Sequence, residues 1–191
     1  MTKLFLLFGT PGAGKTTVLS GVKGVKAITV GTEMLKAYSK KFGITDRDMI
    51  RKRAVLNNKV DAQIRSAVLR TAAKKPGTVV LDTHASLKTH DSYYPGLSLA
   101  DFDILKSAAK AIIYVDASDR EIMERRALDK TRKREDTGNV EWEIDQHRNI
   151  NFALIAIFSL RLGVPLFVVM NRNNQLRQAQ KRIQEIIKSI K

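Results

Sequence analysis

The chain has 191 residues, 43% of them hydrophobic and none cysteine, with 34 lysines and arginines against 19 aspartates and glutamates, a formal net charge of +15. That length suits one domain spanning 1–191 with a substantial core, and the missing thiols exclude disulfides, thiolate metal sites and a cysteine nucleophile while fitting a cytoplasmic location. No apolar run approaches the roughly 18 residues of a membrane span, so the excess charge asks instead for nucleotide phosphates or nucleic acid as its partner.

The first apolar run, residues 3–8, predicts a strand and leads into GTPGAGKTT at residues 9–17. Gly9, Gly14, Lys15 and Thr16 satisfy G-x-x-x-x-G-K-[ST], the loop that cradles nucleotide phosphates. Each position has a physical reason. Glycine lets the backbone turn sharply and lets phosphate oxygens approach, so that Gly9, Thr10, Pro11, Gly12, Ala13 and Gly14 form an anion-binding concavity. The helix predicted over 15–22 adds the positive end of its dipole, Lys15 reaches the outer phosphates, and the Thr16 hydroxyl faces Mg²⁺. The charge distribution agrees, because residues 1–60 carry 12 basic and 3 acidic residues, while 61–120 carry 8 and 7 and 121–191 carry 14 and 9.

Further along, strands are predicted at 26–30, 78–81, 111–115 and 165–170, and helices at 32–42, 47–74, 120–130, 140–162 and 174–190. The 47–74 stretch is expected to break near Asn57 and Asn58. The alternation predicts an α/β fold with a five-stranded parallel sheet between two helical layers. Asp82 closes the run TVVLD and so falls at the carboxyl edge of the sheet, where it would orient waters around the metal or else cap a turn. The run ERRALDKTRKRED places Arg125, Arg126, Lys130, Arg132, Lys133 and Arg134 ahead of a Thr137-Gly138 break, as a mobile arginine lid or as a solvated helix face. In NINFALIAIFSLRLG, residues 149–163, apolar side chains occupy nearly every face, which predicts a helix through the core, with a subunit contact as the further possibility.

Several of these segments together resemble the archaeal-type adenylate kinases, a branch of the nucleoside monophosphate kinases. The resemblance rests on GTPGAGKTT at 9–17, DRDMIRK at 46–52, DTHASLKT at 82–89, YYPGLS at 93–98, TRKRED at 131–136 and NINFA at 149–153. It implies a P-loop fold with two small insertions, an AMP-binding region at about 31–72 and a lid at about 125–138. ATP would lie on residues 9–17, with Thr17 at the α-phosphate and Thr16 and Asp82 serving Mg²⁺. AMP would meet Gly31, Thr32, Arg51, His84 and Lys88. Lys15, Arg125, Arg132 and Arg134 would neutralise the transferred phosphoryl group. The resemblance also implies a homotrimer.

This sequence departs from the family at Lys36, Lys88 and Leu128, where arginine is common; lysine keeps the charge and loses the bidentate fork. On sequence alone His84 reads equally as a packed histidine, Tyr93 and Tyr94 either wall the acceptor pocket or simply pack, and His90 and His147 have no assigned role. Two rival functions stand beside ATP-to-AMP transfer: a basic RNA-associated P-loop ATPase, suggested by the charge, and a kinase for another nucleoside monophosphate. The chain shows no RNA-reading signature, so nucleic acid is not the expected partner.

Overall fold

The computed structural model describes residues 1–45, 58–89, 92–129 and 138–190. Its strands are β1 (Thr2–Gly9), β2 (Lys26–Thr29), β3 (Gly77–Asp82), β4 (Ser86–Lys88), β5 (Tyr93–Pro95), β6 (Ala109–Asp116) and β7 (Leu166–Met170). The helices are α1 (Lys15–Ser20), α2 (Val30–Phe42), α3 (Asn58–Lys74), α4 (Leu99–Leu105), α5 (Asp119–Leu128), α6 (Val140–Leu162) and α7 (Leu176–Ser189). The predicted five-stranded sheet is present in the order β2-β3-β1-β6-β7, with every pairing parallel. The connections leaving β1 and β3 diverge, one toward β2 and the other across β1 to β6. Such a switch opens a crevice at the carboxyl ends of the strands. Gly9 and Asp82 stand at that edge.

The period of two in a strand divides the central side chains between opposite faces of the sheet. Leu4, Leu6, Phe8, Ile112 and Tyr114 pack with Leu69 of α3, Phe102 and Leu105 of α4, and Ile155 and Phe158 of α6. Phe5, Leu7, Ile113 and Val115 pack on the other face with Val18 and Leu19 of α1, Ile122 of α5, and Ile183 and Ile186 of α7. Continuous apolar runs such as LFLLF therefore mark strands covered on both sides.

Four features differ from the sequence reading. Val30 begins α2 rather than ending β2, because Gly31 is accommodated inside the first helical turn. The hairpin of β4 and β5 and the helix α4 were not predicted; three-residue strands and a seven-residue helix are too short to show a period. Of the predicted 47–74 stretch, Asn58–Lys74 forms α3, and residues 47–57, with the expected break, lie outside the described residues. Finally, α6 is not enclosed all round. Ile155, Phe158 and Leu162 are buried against the sheet, whereas Ile157 and Leu160 of the opposite face are 52% and 82% exposed. Among the described residues no helix is long and apolar enough to cross a membrane.

Candidate active site

Gly9 ends β1 where a Cβ would lie 2.2 Å from the Val115 carbonyl oxygen, so no other residue fits without moving β6. Beyond it the loop turns through Gly12 and Gly14 at φ 101° and 83°, left-handed conformations that favour glycine. Side chains from distant elements hold the loop from outside. The Thr10 hydroxyl is fully buried, 2.8 Å from the Tyr114 hydroxyl, and donates to Asp116 Oδ1 at 3.0 Å. Arg126 Nε and Nη2 donate to the Pro11 carbonyl at 3.0 and 2.8 Å. Asn171 Nδ2 and Arg125 Nη1 donate to the Ala13 carbonyl at 2.8 and 3.3 Å. With these carbonyls held from outside and Gly14 capping α1, the first N–H groups of that helix have no preceding helical carbonyl to receive them, which suits an anion. Lys15 Nζ donates to the Gly9 carbonyl at 3.3 Å, folded over the loop it belongs to. Thr16 and Thr17 are exposed on the first turn of α1.

Arg125 sits on the loop's outer wall, donating also to the Asn171 carbonyl at 2.7 Å and to Asn173 Oδ1 at 2.8 Å. It thereby ties α5 to both the phosphate loop and the segment after β7. Arg132 and Arg134 lie outside the described residues, as do Arg51 and His90.

Across the crevice stands the hairpin. Asp82 is buried at the end of β3 and accepts from the Thr29 hydroxyl at 3.5 Å. Gly31 and Thr32 are half-buried in the first turn of α2, and His84 is half-buried between β3 and β4. Gly96 passes so close to the His84 carbonyl that a Cβ would fall 1.8 Å from its oxygen, and Gly96 N donates to the Ala85 carbonyl at 2.7 Å. This gives YYPGLS a steric reason for its glycine. Lys88 pairs with the buried Glu143 of α6 at 2.6 Å, a single contact that a lysine point charge serves as well as a guanidinium fork. Of the other departures, Lys36 pairs with Glu33 of the preceding turn at 2.8 Å, and Leu128 is 81% exposed. Tyr93 packs edge-on against His147 of α6, ring centroids 5.0 Å apart, while Tyr94 is exposed.

The residues missed in the sequence are the ones that join the two sides. Asn151 of α6 accepts from the Ser86 hydroxyl of β4 at 2.7 Å and donates to the Tyr114 hydroxyl at 3.4 Å. Through Tyr114 and Thr10 a buried polar chain therefore runs from the hairpin to the phosphate loop. Burial pushes the Tyr114 phenol up to about 12, so it remains a neutral hydrogen-bonding group. Arg148 pairs with Asp116 at 2.9 Å and Asp119 at 2.5 Å and donates to the Ala117 carbonyl at 2.9 Å. Asn151 had a signal: a polar residue on the buried side of an apolar helix needs a partner.

Residues 8–143 match the family described as AAA domain. An adenylate kinase of Pyrobaculum aerophilum is 36% identical over 155 residues, covering 79% of this chain and 77% of that protein. One from Thermoplasma acidophilum is 33% identical over 185 residues, covering 95% and 97%. Among solved structures, a shikimate kinase from Acinetobacter baumannii in complex with shikimate superposes with a TM-score of 0.62 over 99% of this chain and 95% of that one, at 19% identity, a likeness of fold. Identity of this order over most of both chains, joined to a phosphate loop built as described, places the chain in the adenylate kinase family.

Proposed function

We propose that the protein transfers the terminal phosphoryl group of ATP, bound with Mg²⁺, to AMP and so yields two ADP. One observation carries this reading: the phosphate loop with its Lys15, pinned by Arg126 of α5, is joined through the buried chain Thr10–Tyr114–Asn151–Ser86 to the hairpin that bears Lys88, so cations of elements remote in sequence are held about one cleft. Two anionic nucleotides repel each other, and bringing them in line requires such convergence. The AMP phosphate is already an ionised nucleophile, so the protein's task is placement and charge neutralisation rather than proton abstraction.

In this reading residues 9–17 hold the triphosphate, Lys15 swings from the Gly9 carbonyl onto the transferred group, and Lys88, Gly31, Thr32 and His84 face the acceptor with Arg51. Arg125 keeps the loop in shape at the phosphate site, and Arg132 and Arg134 are assigned to the lid by family resemblance. The Thr16 hydroxyl and the Asp82 carboxylate are oxygen donors of the kind a hard divalent cation takes, directly or through water. Mg²⁺ held there would neutralise the β- and γ-phosphate charge. Excluding water from the cleft keeps the phosphoryl group from hydrolysis.

The archaeal relatives and the absence of cysteine support a cytoplasmic enzyme. A homotrimer is favoured by the outward apolar residues Ile157 and Leu160 of α6 and Val168 and Met170 of the edge strand β7. Light scattering at micromolar concentration should give three times the chain mass, and a monomer mass rejects the trimer. For the reaction, a coupled assay of ADP formation from MgATP with AMP, CMP, UMP and GMP in turn should show AMP as the preferred acceptor. RNA-stimulated hydrolysis without AMP-dependent ADP would favour the ATPase, and a preference for another monophosphate would move the acceptor assignment.

A further inference from the structure

The hairpin of β4 and β5 is a two-stranded sheet of its own, so ladder hydrogen bonds do not seat it against the strand that carries the phosphate loop. It rests on α6 instead. Glu143 pairs with Lys88, His147 packs on Tyr93, and Asn151, one turn further along the same buried face, accepts from the Ser86 hydroxyl at 2.7 Å. Asn151 also reaches the other side of the cleft. Its Nδ2 donates to the Tyr114 hydroxyl at 3.4 Å, and Tyr114 lies 2.8 Å from the hydroxyl of Thr10 in the loop. All four side chains are between 0% and 4% exposed, so water does not compete for these bonds.

The chain has one sense. Asp116, ion-paired with Arg148 at 2.9 Å, accepts the single Thr10 proton at 3.0 Å. Tyr114 must then give its own proton to Thr10, which leaves the phenol oxygen as an acceptor. The Asn151 amide can meet that oxygen only through its nitrogen, and so turns its own oxygen to Ser86. No rotation of one hydroxyl or of the amide keeps every bond. Arg148 and Asn151 stand one turn apart on α6, so the circuit closes through a single helix.

We propose that Asn151 is a positioning residue for phosphoryl transfer: by bonding Ser86 and Tyr114 at once, it fixes the hairpin at the distance from the phosphate loop at which two nucleotides meet in line. Its amide is spent on the two walls, and no proton or phosphoryl group passes through it. The inference rests on the phosphoryl-transfer reading, because it needs a donor on the loop and an acceptor at the hairpin. A displacement of about 1 Å between reacting groups costs on the order of a hundredfold in rate and leaves each separate site intact. Breaking the chain therefore weakens joint occupation, not single occupation.

Ser86→Ala and Tyr114→Phe each remove one hydroxyl bonded to Asn151. Both variants should bind ATP alone and AMP alone within about twofold of the wild type. Their kcat, and their affinity for diadenosine pentaphosphate, which spans both nucleotide positions, should fall at least about tenfold. Because the bonds lie in series, the double variant should lose no more than the more damaged single variant. If Tyr114→Phe does not fold, Ser86→Ala alone carries the comparison of joint with single binding. An unchanged kcat, losses that multiply in the double variant, or single-nucleotide affinities that fall as far as the joint affinity overturn the proposal and leave the phosphoryl-transfer reading standing. A wild type that forms no ADP from ATP and AMP overturns both.

Discussion

The two walls of the cleft are built by different means. The phosphate-loop wall is backbone, with Gly9, Gly12 and Gly14 shaping a loop whose carbonyls are pinned by Arg125, Arg126 and Asn171. The hairpin wall is side chain: Lys88 pairs with Glu143 and Tyr93 packs on His147, between a short hairpin and one helix. Backbone sites tolerate almost no change in shape, while side-chain sites tolerate change in identity as long as charge is kept. On that division Lys88 can stand where the resemblance to the family expects arginine, beside an unbroken phosphate-loop pattern.

The largest effect should come from the loop's own cation. Lys15→Ala should lower turnover by about a thousandfold or more, because nothing else on the loop supplies a mobile charge to the transferred group. Its thermal midpoint should stay close to the wild type, since the 3.3 Å bond of Lys15 to the Gly9 carbonyl is long and only part-buried. Retained activity would break the contrast between the walls.

Next come the steric glycines. Gly9→Ala should destabilise the protein by about 3 kcal/mol or more, as its Cβ is driven into the Val115 carbonyl of the central strand β6. Gly96→Ala meets the His84 carbonyl even more closely but strains only the hairpin, so chemical denaturation should show a smaller loss there, with AMP affinity falling more than ATP affinity. Equal losses in both variants would mean that the hairpin belongs to the same rigid unit as the loop.

Smaller again is the acceptor contact. Lys88→Arg should alter the KM for AMP by less than about threefold, whereas Lys88→Ala, which removes the 2.6 Å ion pair from the buried Glu143, should raise it at least about tenfold and also lower the melting temperature. The KM for ATP should hardly move in either.

The smallest effect is one of pH. His147 titrates at about 4 in the folded chain against an ordinary 6.5, so between those values the unfolded chain binds more protons. Its contribution is full above about pH 6.5 and is lost as pH falls toward about 4. Denaturant midpoints of His147→Gln should therefore fall less steeply across that interval than those of the wild type.

How much of this was legible in the sequence follows the same division. GTPGAGKT could be read directly because backbone geometry imposes residue types at fixed spacing, and Asp82 could be placed because a strand's end locates the sheet edge. The five strands of the sheet were visible as apolar runs because both faces are covered. Of the buried chain Ser86–Asn151–Tyr114–Thr10, Thr10 was read as part of the loop and Asn151 carried a signal, but their connection could not be read, since its members are brought together only by folding. Asp116 and Arg148 were missed for the same reason: an acid at a strand end and an arginine on a helix look like ordinary surface charges until the fold pairs them. His147 offered least signal of all, because its surroundings come from four other elements.

The central claim is transfer between nucleotides rather than hydrolysis. Incubating the protein with Mg²⁺, ATP labelled at the γ-phosphate and unlabelled AMP tests it directly. The account predicts label in the β-phosphate of ADP, with ADP formed at two per ATP consumed and none formed by Lys15→Ala. Label released as inorganic phosphate at a rate indifferent to AMP would contradict it.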